Sequence, residues 1–320
     1  MRKFSSYGPI DRELHYYVPR QALIDKTIQQ LKGDNPSKGG YYLTVWAPRQ
    51  TGKTWIMQEA ASVLRQDPQF NVVLLSLQFL NEVTDINRIA QFIARELIKT
   101  LSLAKLTIDS IEDWHRLIAL IGVCAVLGVE NVKGSPFNIQ RSVSIPNLLH
   151  DEVIHLFNQH QQETGQAIAP EVVERIWYEF KGQPGLTNWF GELLTETYNQ
   201  ATAQPITMPH FDGVYAAALD LLPNNNILNI ISKAKPESYK AFILKLFQTK
   251  TKLKFTYDDP LVNFLYLNGV VAVEQISLSE NYVKFPCPYV QKRLFNYFSR
   301  ERFHEMDGLY EPFSVSPRSG

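Results

Sequence analysis

An α/β fold built on a parallel sheet is predicted by three features of the sequence. Residues 41–46 form an apolar, β-branched and aromatic run, and residues 55–64 carry apolar side chains at helical spacing. Between them stands Ala47-Pro48-Arg49-Gln50-Thr51-Gly52-Lys53-Thr54. Further apolar runs of strand length, at 71–80 and 117–123, alternate with a helical stretch at 85–101, as expected of strands lying parallel. From residue 203 the pattern changes to successive helical stretches, a hairpin and a last helix. This gives three parts, 1–160, 161–202 and 203–320.

The 320 residues suffice for such a division. Hydrophobic residues make up 45% and charged residues 20%, which allows a sizeable core. Lys+Arg and Asp+Glu each number 32, so no net charge draws the chain to nucleic acid or acidic lipid. Cys124 and Cys287 both sit in apolar runs. They read as buried thiols in a reducing compartment rather than a disulfide or a metal pair. The first residues have no apolar signal core and no stretch approaches membrane-spanning length, so a cytoplasmic protein is expected.

In chain order, a lead-in with a helix at 21–32 is broken by Gly33-Asp34-Asn35-Pro36. The loop that follows matches the phosphate-binding pattern G-x-x-x-x-G-K-[S/T], with Ala47 at the first position. Backbone N–H groups of such a loop, and of the helix after it, face phosphates. Gly52 permits the close approach and the sharp turn. Lys53 sets a point charge on the outer phosphates, and the Thr54 hydroxyl ligates Mg²⁺. Nucleotide binding is the expected function; the other reading is a plain Gly-Lys-Thr turn. Tyr16, Tyr17, Val18 and Pro19, just upstream, supply apolar contact either to a base or to the sheet.

Residues 71–80 read as a second buried strand, and Ile86, Ile89, Ala90, Phe92, Ile93, Leu97 and Ile98 stripe the helix at 85–101. A polar stretch at 105–116 precedes the third strand at 117–123. A turn at 134–137, a short fourth strand at 142–146 and a helix from 151 follow. A strand ending in Asp or Asp-Glu, which would hold Mg²⁺ through water and polarise an attacking water, is not found. Ala217-Ala218-Leu219-Asp220 matches in letters but lies in a helical stretch, and Glu130 and Asp109 read as solvated or capping carboxylates.

Residues 165–198 are helical, with Pro170 at a helix start. Lys181-Gly182-Gln183-Pro184-Gly185 makes a rigid bend between two helices. It places a helix start near the nucleotide or is an ordinary turn. Beyond 203, helices are expected at 209–222, 225–233, 236–249 and 259–268, then a hairpin of 269–274 with 282–285, then a helix over 289–303. Helices followed by a two-stranded wing suggest a winged-helix domain. The helix before that wing, 260–268, carries no cation, which favours a packing module over a DNA reader. Lys292, Arg293, Arg300 and Arg302 keep a nucleic-acid alternative open.

Four pieces together, Tyr17-Val18-Pro19-Arg20, Trp46 through Thr54, Gly134-Ser135-Pro136-Phe137-Asn138 and Gly182-Gln183-Pro184-Gly185-Leu186, resemble a bacterial family of AAA-like P-loop ATPases related to archaeal ATPases and STAND NTPases. The likeness covers most of the chain. It implies a P-loop core, a helical lid and a C-terminal winged-helix-like domain, with ATP and Mg²⁺ as cofactors. By the same likeness Tyr17, Val18 and Arg20 sit near the base, residues 47–54 and Trp55 at the phosphates, Thr54 at the metal, and Gln183 and Pro184 on the lid. The departure is the acidic strand, which in that family falls between 85–101 and 117–123; the core therefore reads as shortened. The expectation is a nucleotide-gated switch with weak or absent hydrolysis. The alternatives are an ATPase recruiting Glu130 or Asp109, and an interaction module with a vestigial loop. Expected partners are ATP or ADP and a protein partner or second copy.

Overall fold

Three short strands and eleven helices, with one hairpin, make up the described part of the chain. The computed structural model describes residues 1–8, 10–34, 43–76, 84–101, 126–127 and 141–306. Their order is α1 Gln21–Lys32, β1 Leu43–Trp46, α2 Lys53–Arg65, α3 Ile86–Thr100, β2 Val126–Leu127, β3 Arg141–Ser144, α4 His150–Thr164, α5 Pro170–Phe180, α6 Pro184–Glu192, a π-helical turn Leu193–Thr197, α7 Met208–Asp220, α8 Asn225–Ala234, α9 Glu237–Gln248, α10 Pro260–Leu267, β4 Ala272–Gln275, β5 Asn281–Lys284 and α11 Pro288–Met306. They fall into two units. The first is Met1–Val18, Ala47–Thr51 and Pro146–Gly320; the second is Pro19–Trp46 and Gly52–Ile145.

The second unit holds the parallel sheet, in the order β2-β1-β3. β1 is central, with Leu43 beside Val126 on one side and Arg141 on the other. Leu43 and Val45 alternate inward and are fully buried, so the period-two pattern marks the core face. α1 packs on α2, which buries Trp55, Ile56, Ala60, Ala61 and Leu64. Asp85 caps α3, its carboxylate accepting from Asn87 N at 2.9 Å.

The expected strand at 71–80 is corrected over its described part. Residues 71–76 take no strand pairing. Val73 and Leu75 pack on Ala94 and Leu97, while Leu74 is 43% exposed. Among the described residues the segment packs through Val73 and Leu75, whereas the apolar run suggests burial on both faces. The strand at 117–123, the turn at 134–137, and with them Asp109, Cys124 and Glu130, lie outside the described residues. So do residues 312–320.

The first unit is helical around one apolar core. Phe157, Phe180, Phe190, Phe211 and Tyr289 are fully buried. Phe180 stands 5.0 Å from both Phe190 and Tyr289, and Phe190 5.1 Å from Phe211, between ring centroids. Proline opens α5, α6 and α10, where the missing N–H costs nothing. Gln183, Asn224 and Asp259 cap α6, α8 and α10. Cys287 is buried, as expected, and burial pushes its thiol up to about 12. The hairpin is β4 with β5, pairing Ala272 with Lys284 through Gln275 with Asn281. It starts later than expected because Val270 and Val271 are used below α10. Both are buried, and Val270 N donates to the Leu265 carbonyl at 2.9 Å.

His160 sits in this core, its Nε2 3.1 Å from Gln166 Oε1. Burial holds the imidazole below its usual value, against the opposing influence of Gln166 and Glu163. The fold therefore prefers the neutral ring. Its contribution is complete above the unfolded value of 6.5 and is lost as the pH falls below it. Urea melts at about pH 7.5 and about pH 5 are expected to show this loss, with a shallower dependence in His160→Gln; equal slopes in parent and variant would refute it. No helix among the described residues is long and apolar enough to cross a membrane, and no group of three or more potential metal ligands occurs among them.

Candidate functional site

The loop leaves β1 at Trp46 and enters α2 at Lys53. It turns through two left-handed residues, Gln50 at φ +56° and Gly52 at φ +91°. Only glycine takes the second without strain; Gln50, with a Cβ, needs outside support to stay there. Gly52 is the N-cap of α2, and its carbonyl accepts the first helical bond from Ile56 N at 3.0 Å. No side chain caps this helix, and its N-terminus carries the positive end of the helix dipole. Thr51 is buried, and its hydroxyl donates to the Pro48 carbonyl at 2.9 Å, closing the turn from within. Trp55 and Ile56 are buried and anchor the helix start. Lys53 is part-exposed and Thr54 exposed.

Within the first unit, Ala47–Thr51 is held from several directions. Gln183 caps α6 by accepting from Leu186 N at 2.5 Å. Since an N–H can donate only to the amide oxygen, the NH₂ is turned the other way. There it donates to the Arg49 carbonyl at 3.1 Å and lies 3.5 Å from that of Gln50. Gly185 N donates to the Gln50 carbonyl at 2.9 Å. A Cβ at 185 would stand 2.6 Å from Gln50 Oε1, so glycine is required for this approach. Gln50 Nε2 donates to the Ser6 carbonyl at 3.3 Å, and Arg49 to Asn229 Oδ1 at 3.1 Å. Pro48 lies against Gly269, where a Cβ would come within 3.0 Å.

The bend before α6 is built for this placement. Lys181 (φ +47°) and Gly182 (φ +65°) are both left-handed. Leu148 N donates to the Gly182 carbonyl at 2.8 Å, and Asn147 Nδ2 to that of Lys181 at 3.0 Å. Pro184 then fixes the first turn of α6.

The structure brings Arg49, Gln50, Gln183 and Pro184 together. Tyr17 and Val18 belong to the first unit and Arg20 to the second. The Tyr17 backbone is held by Gln159, whose Nε2 donates to the Tyr17 carbonyl at 2.8 Å, and Arg12 stands 5.8 Å from the Tyr17 ring centroid. Val18 packs against the apolar core of its unit. Arg20 is the N-cap residue of α1 and is buried. Sequence reading missed Ser6, Asn229, Gly269 and the specific need for Gly185. A glycine at the second position of a helix, straight after its proline, was the available signal for the last.

The sequence matches no family model and no curated protein. Among solved structures, the Walker-type ATPase of Pyrococcus abyssi superposes at a TM-score of 0.53 and 14% identity, over 91% of this chain and 99% of that one. The RuvB Holliday junction branch migration motor of Thermotoga maritima gives 0.46 at 13% identity, over 82% and 92%. The Aeropyrum pernix ORC1 protein in complex with DNA gives 0.39 at 14%, over 90% and 95%. The first likeness shows that this mixed α/β, mostly helical chain has a fold of the P-loop ATPase kind.

Proposed function

We propose that this chain binds ATP with Mg²⁺ at residues 47–54 and acts as a nucleotide-gated switch with weak or absent hydrolysis. The observation that carries the reading is the loop itself. A buried strand ends in a turn with left-handed Gly52, and an uncapped helix starts with Lys53 and Thr54 in its first turn. The amides and the dipole favour phosphate, Lys53 adds the point charge, and the exposed Thr54 hydroxyl suits a Mg²⁺ that takes its other ligands from phosphate and water. The sequence offers no acidic strand to activate water, which supports binding over turnover.

In this reading residues 1–160 are the lead-in and core, 161–202 the lid, and 203–320 a winged-helix-like domain. Tyr17, Val18 and Arg20 lie on the base side. Kinship with bacterial AAA-like and STAND NTPases, a cytoplasmic location and a protein partner or second copy belong to the same proposal. The C-terminal cations support a packing role rather than nucleic-acid contact. Lys292 is bonded to Glu179, Arg293 to the Ala218 carbonyl at 2.6 Å, and Arg300 to Asp220 at 2.8 Å.

Thermal unfolding with ATP, ADP and Mg²⁺ tests the proposal. Stabilisation of about 2.7 kcal/mol is expected at a hundredfold excess over Kd, and it should vanish in Lys53→Ala. A cooperative melt that nucleotide leaves unmoved would overturn it.

A further inference from the structure

We infer that Gln183 and Gly185 are positioning residues for the phosphate loop: they grip its outer carbonyls and thereby turn two of its amide N–H groups toward a bound phosphate. The inference rests on the nucleotide-binding reading and deepens it.

The geometry is that of the planar trans peptide. In each peptide unit the carbonyl of one residue and the N–H of the next point in opposite directions. The Arg49 carbonyl is drawn to Gln183 Nε2 at 3.1 Å, so the Gln50 N–H points away from α6. The Gln50 carbonyl is drawn to Gly185 N at 2.9 Å, so the Thr51 N–H points away as well. Successive N–H groups turned to one side, with left-handed residues among them, form an anion-binding concavity. The same two bonds support Gln50 at φ +56°, which a residue with a Cβ does not favour unaided. The Gln50 side chain adds a third hold through Ser6. Gln183 has two separate tasks on its two amide atoms. Oε1 caps α6 and Nε2 grips the loop. A change that frees the start of α6 from the loop therefore also releases the orientation of the two amides. By linkage, phosphate binding tightens the grip on α6 in return.

The two tasks can be separated. Gln183→Ser keeps a neutral capping hydroxyl but cannot reach the Arg49 carbonyl. Calorimetric titration of Mg²⁺-ATP into the parent, Gln183→Ser and Lys53→Ala tests the grip, beside hydrogen exchange of the peptide covering 47–56 without nucleotide. The expected result is an unchanged melting temperature in Gln183→Ser, faster exchange in the loop, and affinity weaker by about tenfold, the effect of losing one well-placed hydrogen bond. Binding by the parent that Gln183→Ser leaves intact would overturn this inference and leave nucleotide binding standing. No binding by the parent would overturn both. Loss in Gln183→Ser together with a lowered melting temperature would mean that capping, not grip, is what Gln183 supplies.

Discussion

Glu179→Ala is expected to destabilise the helical unit by about 3–4 kcal/mol, the range found when one partner of a buried charge cluster is removed. The Glu179 carboxylate has no solvent exposure. It accepts from Tyr215 OH at 2.6 Å, from Lys292 Nζ at 2.9 and 3.0 Å, and from Arg175 Nη2 at 3.0 Å. These bonds join α5, α7 and α11. Arg175 and Lys292 are 45% and 42% exposed at the side chain, so water takes over much of their solvation when the carboxylate goes. Tyr215 cannot be rescued in this way. Its ring is buried among Phe180, Phe190 and Phe211, and its hydroxyl would keep the bond it accepts from Lys292 Nζ at 3.1 Å but lose Glu179 as the acceptor of its proton. Most of the loss thus comes from the hydroxyl proton left without its acceptor, the cavity and the end of a three-helix tie. Glu179→Gln keeps an acceptor for Tyr215 and should lose about half as much. Equilibrium urea unfolding of both variants measures the difference. A loss below about 1 kcal/mol in Glu179→Ala would mean the cluster is no more than a surface pair.

Gly182→Ala is expected to cost about 3 kcal/mol in the same assay. Two causes add. At φ +65° an alanine pays roughly 1–2 kcal/mol for the left-handed conformation. Its Cβ would also overlap the Leu148 carbonyl and displace the backbone that receives the bond from Leu148 N. Because this bend sets the start of α6, the variant should also weaken nucleotide binding, where Gly213→Ala should not. Gly213 has no atom within 4 Å of its would-be Cβ and serves as the control. Equal stability of the two alanine variants would refute the account.

What could be read from the sequence was local. The phosphate loop, its strand and its helix are contiguous, and each residue's task there follows from its own chemistry. Helix bounds followed from caps and prolines. α1 falls on 21–32 as expected, and α8 and α10 lie within a residue of their expected ends. In α10 the apolar residues Val262 and Leu265 are buried.

What needed the tertiary structure were partners distant in sequence. Residues 71–76 have the letters of a buried strand, but strand formation requires a neighbour to pair with, and among the described residues they pair with none. Glu179 falls on the same face as Val172 and Ile176, yet only the meeting of α5, α7 and α11 shows why a carboxylate belongs on it. The grip of Gln183 on Arg49 spans 134 residues. The sequence by itself determined that a strand, a loop of the G-x-x-x-x-G-K-[S/T] pattern with Ala47 first, and a helix follow one another, because a short strand–loop–helix needs only neighbouring residues. The tertiary structure decided how that loop is held, because backbone carbonyls carry no signature in sequence and find their donors only when the chain folds back.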